Sequence, residues 1–153
     1  MQALELKIPP PVVALFVAVA MWGVSLGDVM LEEPAFVRLA LALVLAAVGV
    51  AFSISGIVEF RRAKTTVNPT KPEAASSVVT SGVFRITRNP MYVGMVVILF
   101  AWAVFLSSFW APFGPVAFIL YIQRFQIAPE ERVLSAMFGA EYAAYKARVR
   151  RWL

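Results

Sequence analysis

The sequence predicts an all-α integral membrane protein. About four transmembrane helices are expected, the last two a tight hairpin, followed by a C-terminal amphipathic helix on the cytoplasmic side. Three observations predict this. Hydrophobic residues make up 61% of the 153 residues and charged residues only 15%, against about 45–50% and about 25% in soluble domains. Four apolar segments approach the roughly 20 residues that cross a bilayer. Lys and Arg gather in the segments flanking one end of those spans, the distribution of cytoplasmic loops.

The first span covers roughly 11–30. Lys7 stands in front of it, but the run is long and has no clear small-residue cleavage site, so it reads as a helix and not a cleavable signal. The second, 35–60, is long enough to tilt, and its Gly49, Ser53 and Gly56 offer small-residue packing surfaces. The third, 91–107, and the fourth, 110–127, are short and separated by little more than Ser107-Ser108. Pro112, Gly114 and Pro115 open the fourth. Between the second and third spans lies a polar loop, 61–89, with Pro69 and Pro72. Val78 to Phe84 suggests an ordered piece in it and Gly82 a turn. In the segment 129–152, Val133, Leu134, Met137, Phe138, Tyr142, Tyr145, Val149 and Trp152 fall near one helical face. Arg132, Lys146 and Arg150 fall on the other. Such a helix lies on the membrane surface or packs over the loop. No internal repeat is visible, and residues 1–153 read as a single membrane domain.

Arg61, Arg62, Lys64, Lys71, Arg85 and Arg88 lie in the long loop. Arg124, Arg132, Lys146, Arg148, Arg150 and Arg151 lie at and beyond the end of the fourth span. The loop between the first two spans carries Asp28, Glu32 and Glu33, with Arg38 just inside the next helix. Both termini and the long loop are therefore expected on the cytoplasmic side, and the compact length suggests a prokaryotic plasma membrane. The sequence pI is near 10. Because the basic residues border apolar spans, anionic lipid headgroups explain it better than nucleic acid. There is no cysteine and no histidine, which excludes disulfides, zinc sites of the usual ligand types and any Cys or His catalyst. No metal is expected. Chemistry must come from Glu, Asp, Arg, Lys, Tyr, Ser, Asn or backbone groups.

Two clusters could supply it. Arg88-Asn89-Pro90-Met91-Tyr92-Val93-Gly94 runs into the third span, and Pro129-Glu130-Glu131-Arg132 follows the fourth. Charged clusters at the same ends of adjacent helices can build one site at the membrane surface. Each also has a local explanation. Asn89 and Pro90 suit a helix cap and first turn, and Glu130 and Glu131 suit a helix N-terminus. Tyr92 suits an interfacial aromatic, and Gly94 a close helix contact. Glu59, at the inner end of the second span, is expected to pair with Arg61, Arg62 or Arg88. Asp28 is expected to be solvated, and Arg124 and Gln126 to snorkel. Gln123 would reach a pocket or join two helices.

Taken together, the blocks Thr66-Val67-Asn68-Pro69, Thr80-Ser81-Gly82-Val83-Phe84, Thr87 to Gly94, Pro129 to Leu134 and Phe138-Gly139-Ala140-Glu141-Tyr142 with Tyr145 resemble the isoprenylcysteine carboxyl methyltransferase and phospholipid methyltransferase family of integral membrane enzymes. The resemblance runs from about Arg61 to the C-terminus. It implies S-adenosylmethionine as cofactor, bound at the cytoplasmic face, and a lipophilic acceptor arriving from the bilayer between helices. By it, Arg88, Asn89, Pro90, Tyr92, Gly94, Glu130 and Glu131 bind the cofactor, with Arg88 and Glu131 in catalytic roles. Many relatives have histidine where this chain has Asn89, so a mechanism that needs an imidazole does not carry over. The acceptor is left open among an isoprenylcysteine-type carboxylate, a phospholipid amine and another small lipophilic acid, amine or thiol. Two further readings compete: a membrane reductase using NADPH, resembling the steroid 5-alpha-reductase group, and a small non-enzymatic membrane protein.

Overall fold

The computed structural model describes residues 5–28, 34–66, 68 and 70–153. Met30, Glu32, Glu33, Val67 and Pro69 lie outside the described residues. The helices are α1 (Pro10–Ser25), α2 (Ala35–Arg62), α3 (Pro90–Leu106), α4 (Phe113–Ile122) and α5 (Ala128–Arg148). A π-helical turn, Gln123–Ile127, joins α4 to α5, and 3₁₀ turns occupy Pro72–Ala74 and Gly82–Arg85. No strand occurs among the described residues. One helix, α2, is long and apolar enough to cross a membrane, with 28 residues and an 18-residue stretch of mean hydropathy 2.5. At 1.5 Å per residue it reaches about 42 Å. The apolar α1 and α3 are shorter, at 16 and 17 residues.

The small residues of α2 are spent inside the chain. A β-carbon at Gly49 would lie 2.7 Å from the Gly94 carbonyl oxygen, and one at Gly94 would lie 2.5 Å from the Gly49 carbonyl oxygen. Close backbone approach of this kind is what small residues permit between apolar helices. Gly56 faces Met91 and Pro90 in the same contact. Gly94→Val is expected to cost about 1–3 kcal/mol, the usual penalty of overpacking. Gly23→Ala, where nothing lies within 4 Å, should be harmless. Equal melting temperatures for Gly94→Val and the wild type in detergent would refute this contact.

α1 packs against α3 and α4. Trp102 Nε1 donates to the Ala18 carbonyl at 3.0 Å, and Val13, Met21, Leu99, Ala103, Phe118 and Ile122 form the core between them. The turn from α3 to α4 uses Ser107 in the left-handed region (φ 51°). Asp28 is not simply solvated, as the sequence suggested. Its carboxylate accepts from the Ser108 hydroxyl and from the Trp110 N–H at 3.1 Å, fastening the end of α1 to that turn. α4 starts at Phe113 and not at Trp110, because residues 108–112 are used in this turn.

The fourth apolar helix and the C-terminal helix are one continuous run, not two separate elements. Pro129 has no N–H to offer the Phe125 carbonyl four residues earlier, and the backbone there widens into the π turn. The Phe125 carbonyl instead accepts the Leu6 N–H at 3.0 Å. Next to this, Glu5 receives Arg124 Nη1 at 2.7 Å and also Arg132. Both guanidinium groups hold the Glu5 carboxyl below its usual range. Arg124 is therefore an ion-pair partner, and Gln126 is buried in the protein; neither simply snorkels.

α5 breaks at Gly139 (φ 47°, ψ −117°), a conformation open essentially to glycine. It ends at Arg148, short of the expected 152. Val149 is extended (φ −122°, ψ 133°), and the Arg150 carbonyl accepts the Arg88 N–H at 3.0 Å. Of its two expected placements, α5 takes the one over the loop. Tyr142 and Tyr145 form a second core with Val79 and Phe84, and Phe60 meets Phe84 edge-on at 5.0 Å. Glu59 anchors the loop from below, accepting from Ser81 and from Arg62 Nη1 at 2.9 Å. Gly82 (φ 53°) sits so close that a β-carbon would lie 2.6 Å from the Glu59 carboxyl carbon.

Candidate active site

A cavity of about 110 Å³ lies where the 61–89 loop, the start of α3 and the first turns of α5 meet. Phe60, Val79, Phe84, Tyr142 and Tyr145 give it apolar and aromatic walls. Arg88, Asn89, Pro90, Tyr92, Glu130 and Glu131 give it a polar end. The two sequence clusters, Arg88 to Gly94 and Pro129 to Arg132, thus share one cavity. Gly94 is the exception among the expected site residues. It does not line the cavity and serves the α2–α3 contact described above.

The two carboxylates differ in partners. Glu131 receives Arg88 Nη2 at 2.8 Å on Oε1. It also receives Arg151 Nε at 3.1 Å on Oε1 and Arg151 Nη2 at 2.5 Å on Oε2. Glu130 accepts from the Tyr92 hydroxyl and from Gln126 Nε2, both at 2.7 Å and both on Oε1. Burial pushes the Glu130 carboxyl up to about 7, and the charge of Glu131 adds to this, although the bonds from Gln126 and Tyr92 pull the other way. Burial likewise pushes the Tyr142 phenol up to about 12, so it stays neutral at physiological pH. Lys146 lies over the Tyr142 ring, 5.1 Å from its centre.

Both terminal nitrogens of Arg88 are engaged within the protein. Nη2 is on Glu131 and Nη1 reaches the Lys146 carbonyl at 3.4 Å. Its Nε is buried without a hydrogen-bond partner. A buried donor left in that state costs about 1–3 kcal/mol. Asn89 is held by its own side chain, Nδ2 donating to the Arg151 carbonyl at 2.9 Å. The Thr87 hydroxyl donates to the same oxygen at 3.1 Å.

Sequence reasoning missed Arg151 and the site role of Gln126. Gln126 had a local signal, since it stands four residues before Glu130 on one helical face. Arg151 had none. It reaches the site only because the chain leaves α5 and turns back across the start of α3. Gln123 does not join two helices; it accepts from Trp152 Nε1 at 3.4 Å, and Trp152 lies beyond the end of α5.

Residues 37–141 match the family model described as phospholipid methyltransferase. Protein-S-isoprenylcysteine O-methyltransferase B of Arabidopsis thaliana is 31% identical over 98 residues, which are 62% of this chain and 48% of that protein. The match therefore spans about half the plant protein's own length. An uncharacterized protein of Haemophilus influenzae is 49% identical over 63 residues, 41% of this chain and the whole of that protein. No solved structure gives a significant match. With the family model covering well over half of its residues, the chain belongs to the phospholipid methyltransferase family.

Proposed function

We propose that the protein is an integral membrane methyltransferase that moves a methyl group from S-adenosylmethionine to a lipophilic acceptor at the cytoplasmic surface of a prokaryotic plasma membrane. In this reading α1, α2, α3, and α4 with its π turn each cross the membrane, with both termini and the cavity on the side of the basic residues. The observation that carries the reading is the convergence of Arg88, Tyr92, Glu130 and Glu131 on one cavity in a chain of this family.

The residues present fit the cofactor. Its amino-acid end is zwitterionic, and the polar end of the cavity offers Glu131 with two arginines and the unpartnered Arg88 Nε. Its adenosine end is aromatic, and Phe84, Tyr142 and Tyr145 supply flat apolar walls. When bound, S-adenosylmethionine supplies a methyl group activated by a sulfonium. The chain's own contribution is to orient the reactants, an effect worth about 7–11 kcal/mol in favourable cases, and to handle a proton. Tyr92 and Gln126 fix one oxygen of Glu130, and Oε2 has no hydrogen bond among the described residues. That oxygen is suited to take the proton an amine must shed before it can attack.

The geometry favours an amine over a carboxylate as acceptor. The guanidinium groups of Arg88 and Arg151 both engage Glu131, which offsets their charge. An ionised Glu130 would repel one. A groove of about 640 Å³ between α1 and α2, floored by α3, is almost wholly apolar and suits the acceptor's hydrocarbon part. Its Met95 stands one turn from Met91 of the cavity on the same face of α3.

Incubation of the purified protein with methyl-labelled S-adenosylmethionine and separate pools of phosphatidylethanolamine and a prenylcysteine tests the reading. Label in the amine lipid is expected. Label only in the prenylcysteine would shift the acceptor to the carboxylate class, and label in neither would remove both acceptors.

A further inference from the structure

One of the two arginines on Glu131 comes from beyond the last helix. Arg151 lies beyond α5, in a segment that crosses the start of α3 as a strap. The Arg150 carbonyl takes the Arg88 N–H at 3.0 Å. The Arg151 carbonyl takes Thr87 Oγ1 and Asn89 Nδ2 at 3.1 and 2.9 Å. These three bonds bind the strap to the residues immediately before Pro90. They also aim the Arg151 side chain back at Glu131, which it grips through Nη2 at 2.5 Å and Nε at 3.1 Å. Arg88 holds the same carboxylate at 2.8 Å from the opposite element. The Glu131 side chain is 15% exposed and that of Arg88 is 11% exposed.

We infer that Arg151 is a positioning residue. Through its two-point grip, the C-terminal strap sets the direction of the Glu131 carboxylate and, through it, of Arg88, and so preorganises the cavity for the zwitterionic end of the cofactor. The inference rests on the methyltransferase reading. A carboxylate between two guanidinium groups keeps a fixed orientation only if both stay in place. With Arg151 gone, Glu131 is free to follow Arg88 alone. Arginine is required there because its planar fork makes two parallel bonds that a lysine ammonium does not.

The strap itself survives removal of the side chain, since its anchors are backbone carbonyls. Arg151→Ala therefore isolates the grip. The readout is the calorimetric affinity of the full chain in detergent for S-adenosylhomocysteine, with the unliganded melting temperature followed in parallel. Arg151→Ala is expected to weaken binding by at least tenfold, and Arg151→Lys by a smaller factor. The double variant Arg151→Ala with Glu131→Gln should bind no more weakly than the poorer single variant, because both act on one carboxylate. Wild-type affinity in Arg151→Ala, or additive losses in the double variant, would overturn the inference. Should Arg151→Ala fail to fold, Arg151→Lys decides, and wild-type affinity there overturns it. Absence of binding by the wild-type protein would instead overturn the methyltransferase reading.

Discussion

Glu130→Gln is expected to lower methyl transfer to an amine acceptor by about 10²–10⁴-fold at neutral pH, the usual contribution of a positioned proton acceptor. The amide keeps an oxygen for the Tyr92 hydroxyl and Gln126, so the fold and the cofactor site should persist. It lacks the oxygen that takes a proton. In the wild type, turnover should rise as pH climbs through about 7, where Glu130 ionises, and the variant should lose that rise. Stability moves the other way. A carboxyl raised from 4.5 to about 7 by burial binds its proton more tightly in the folded protein than in the unfolded chain. Its contribution is therefore fully present below about 4.5 and fades as pH rises through about 7. Glu130→Gln should flatten that decline. A variant with wild-type turnover, or a wild type whose rate is level from pH 6 to 8, would remove Glu130 from the reaction.

Glu131→Ala should be the most destabilising single change at the site. It leaves the guanidinium groups of Arg88 and Arg151 facing each other with no carboxylate between them. Deleting one partner of a buried ion pair costs about 3–5 kcal/mol. The lower end applies, because the Arg151 side chain is 32% exposed and water screens it. Thermal or denaturant unfolding in detergent measures the loss, and a change below about 1 kcal/mol would contradict the triad as an organising element. Adding Arg88→Met should recover part of the loss, since an apolar side chain leaves one charge fewer without a partner.

The fold was legible where it depends on composition and spacing. Apolar run lengths located α2 and α3 to within about two residues, and the separation of Arg88 from Glu130 and Glu131 across two apolar segments brought them to one end of the bundle. The chemistry of the two glutamates was less legible. Adjacent residues on a helix point about 100° apart, and only the tertiary neighbours reveal that Glu131 meets arginines while Glu130 meets a phenol and an amide. Three features escaped for the same reason. The π turn arises because Pro129 withholds a donor and the N-terminal Leu6 supplies one from far away in sequence. Asp28 reads as a solvated loop residue until Ser108 and Trp110 arrive beside it. The strap that carries Arg151 looks like the end of an amphipathic helix. Its backbone leaves the helix because the start of α3 offers it the Arg88 N–H and the Thr87 and Asn89 side chains. Gly94 shows the opposite case. Its place in the motif suggested a ligand contact, and the Gly49 carbonyl beside it gives it a packing role.

The central claim is that this cavity holds an adenosyl cofactor. Thermal unfolding of the detergent-solubilised wild-type protein with S-adenosylhomocysteine or NADPH tests it most directly. A ligand at about 100 times its dissociation constant should stabilise the folded state by about 2.7 kcal/mol. Stabilisation by S-adenosylhomocysteine and not by NADPH is the predicted result; no response to S-adenosylhomocysteine, or a response to NADPH alone, would contradict the account.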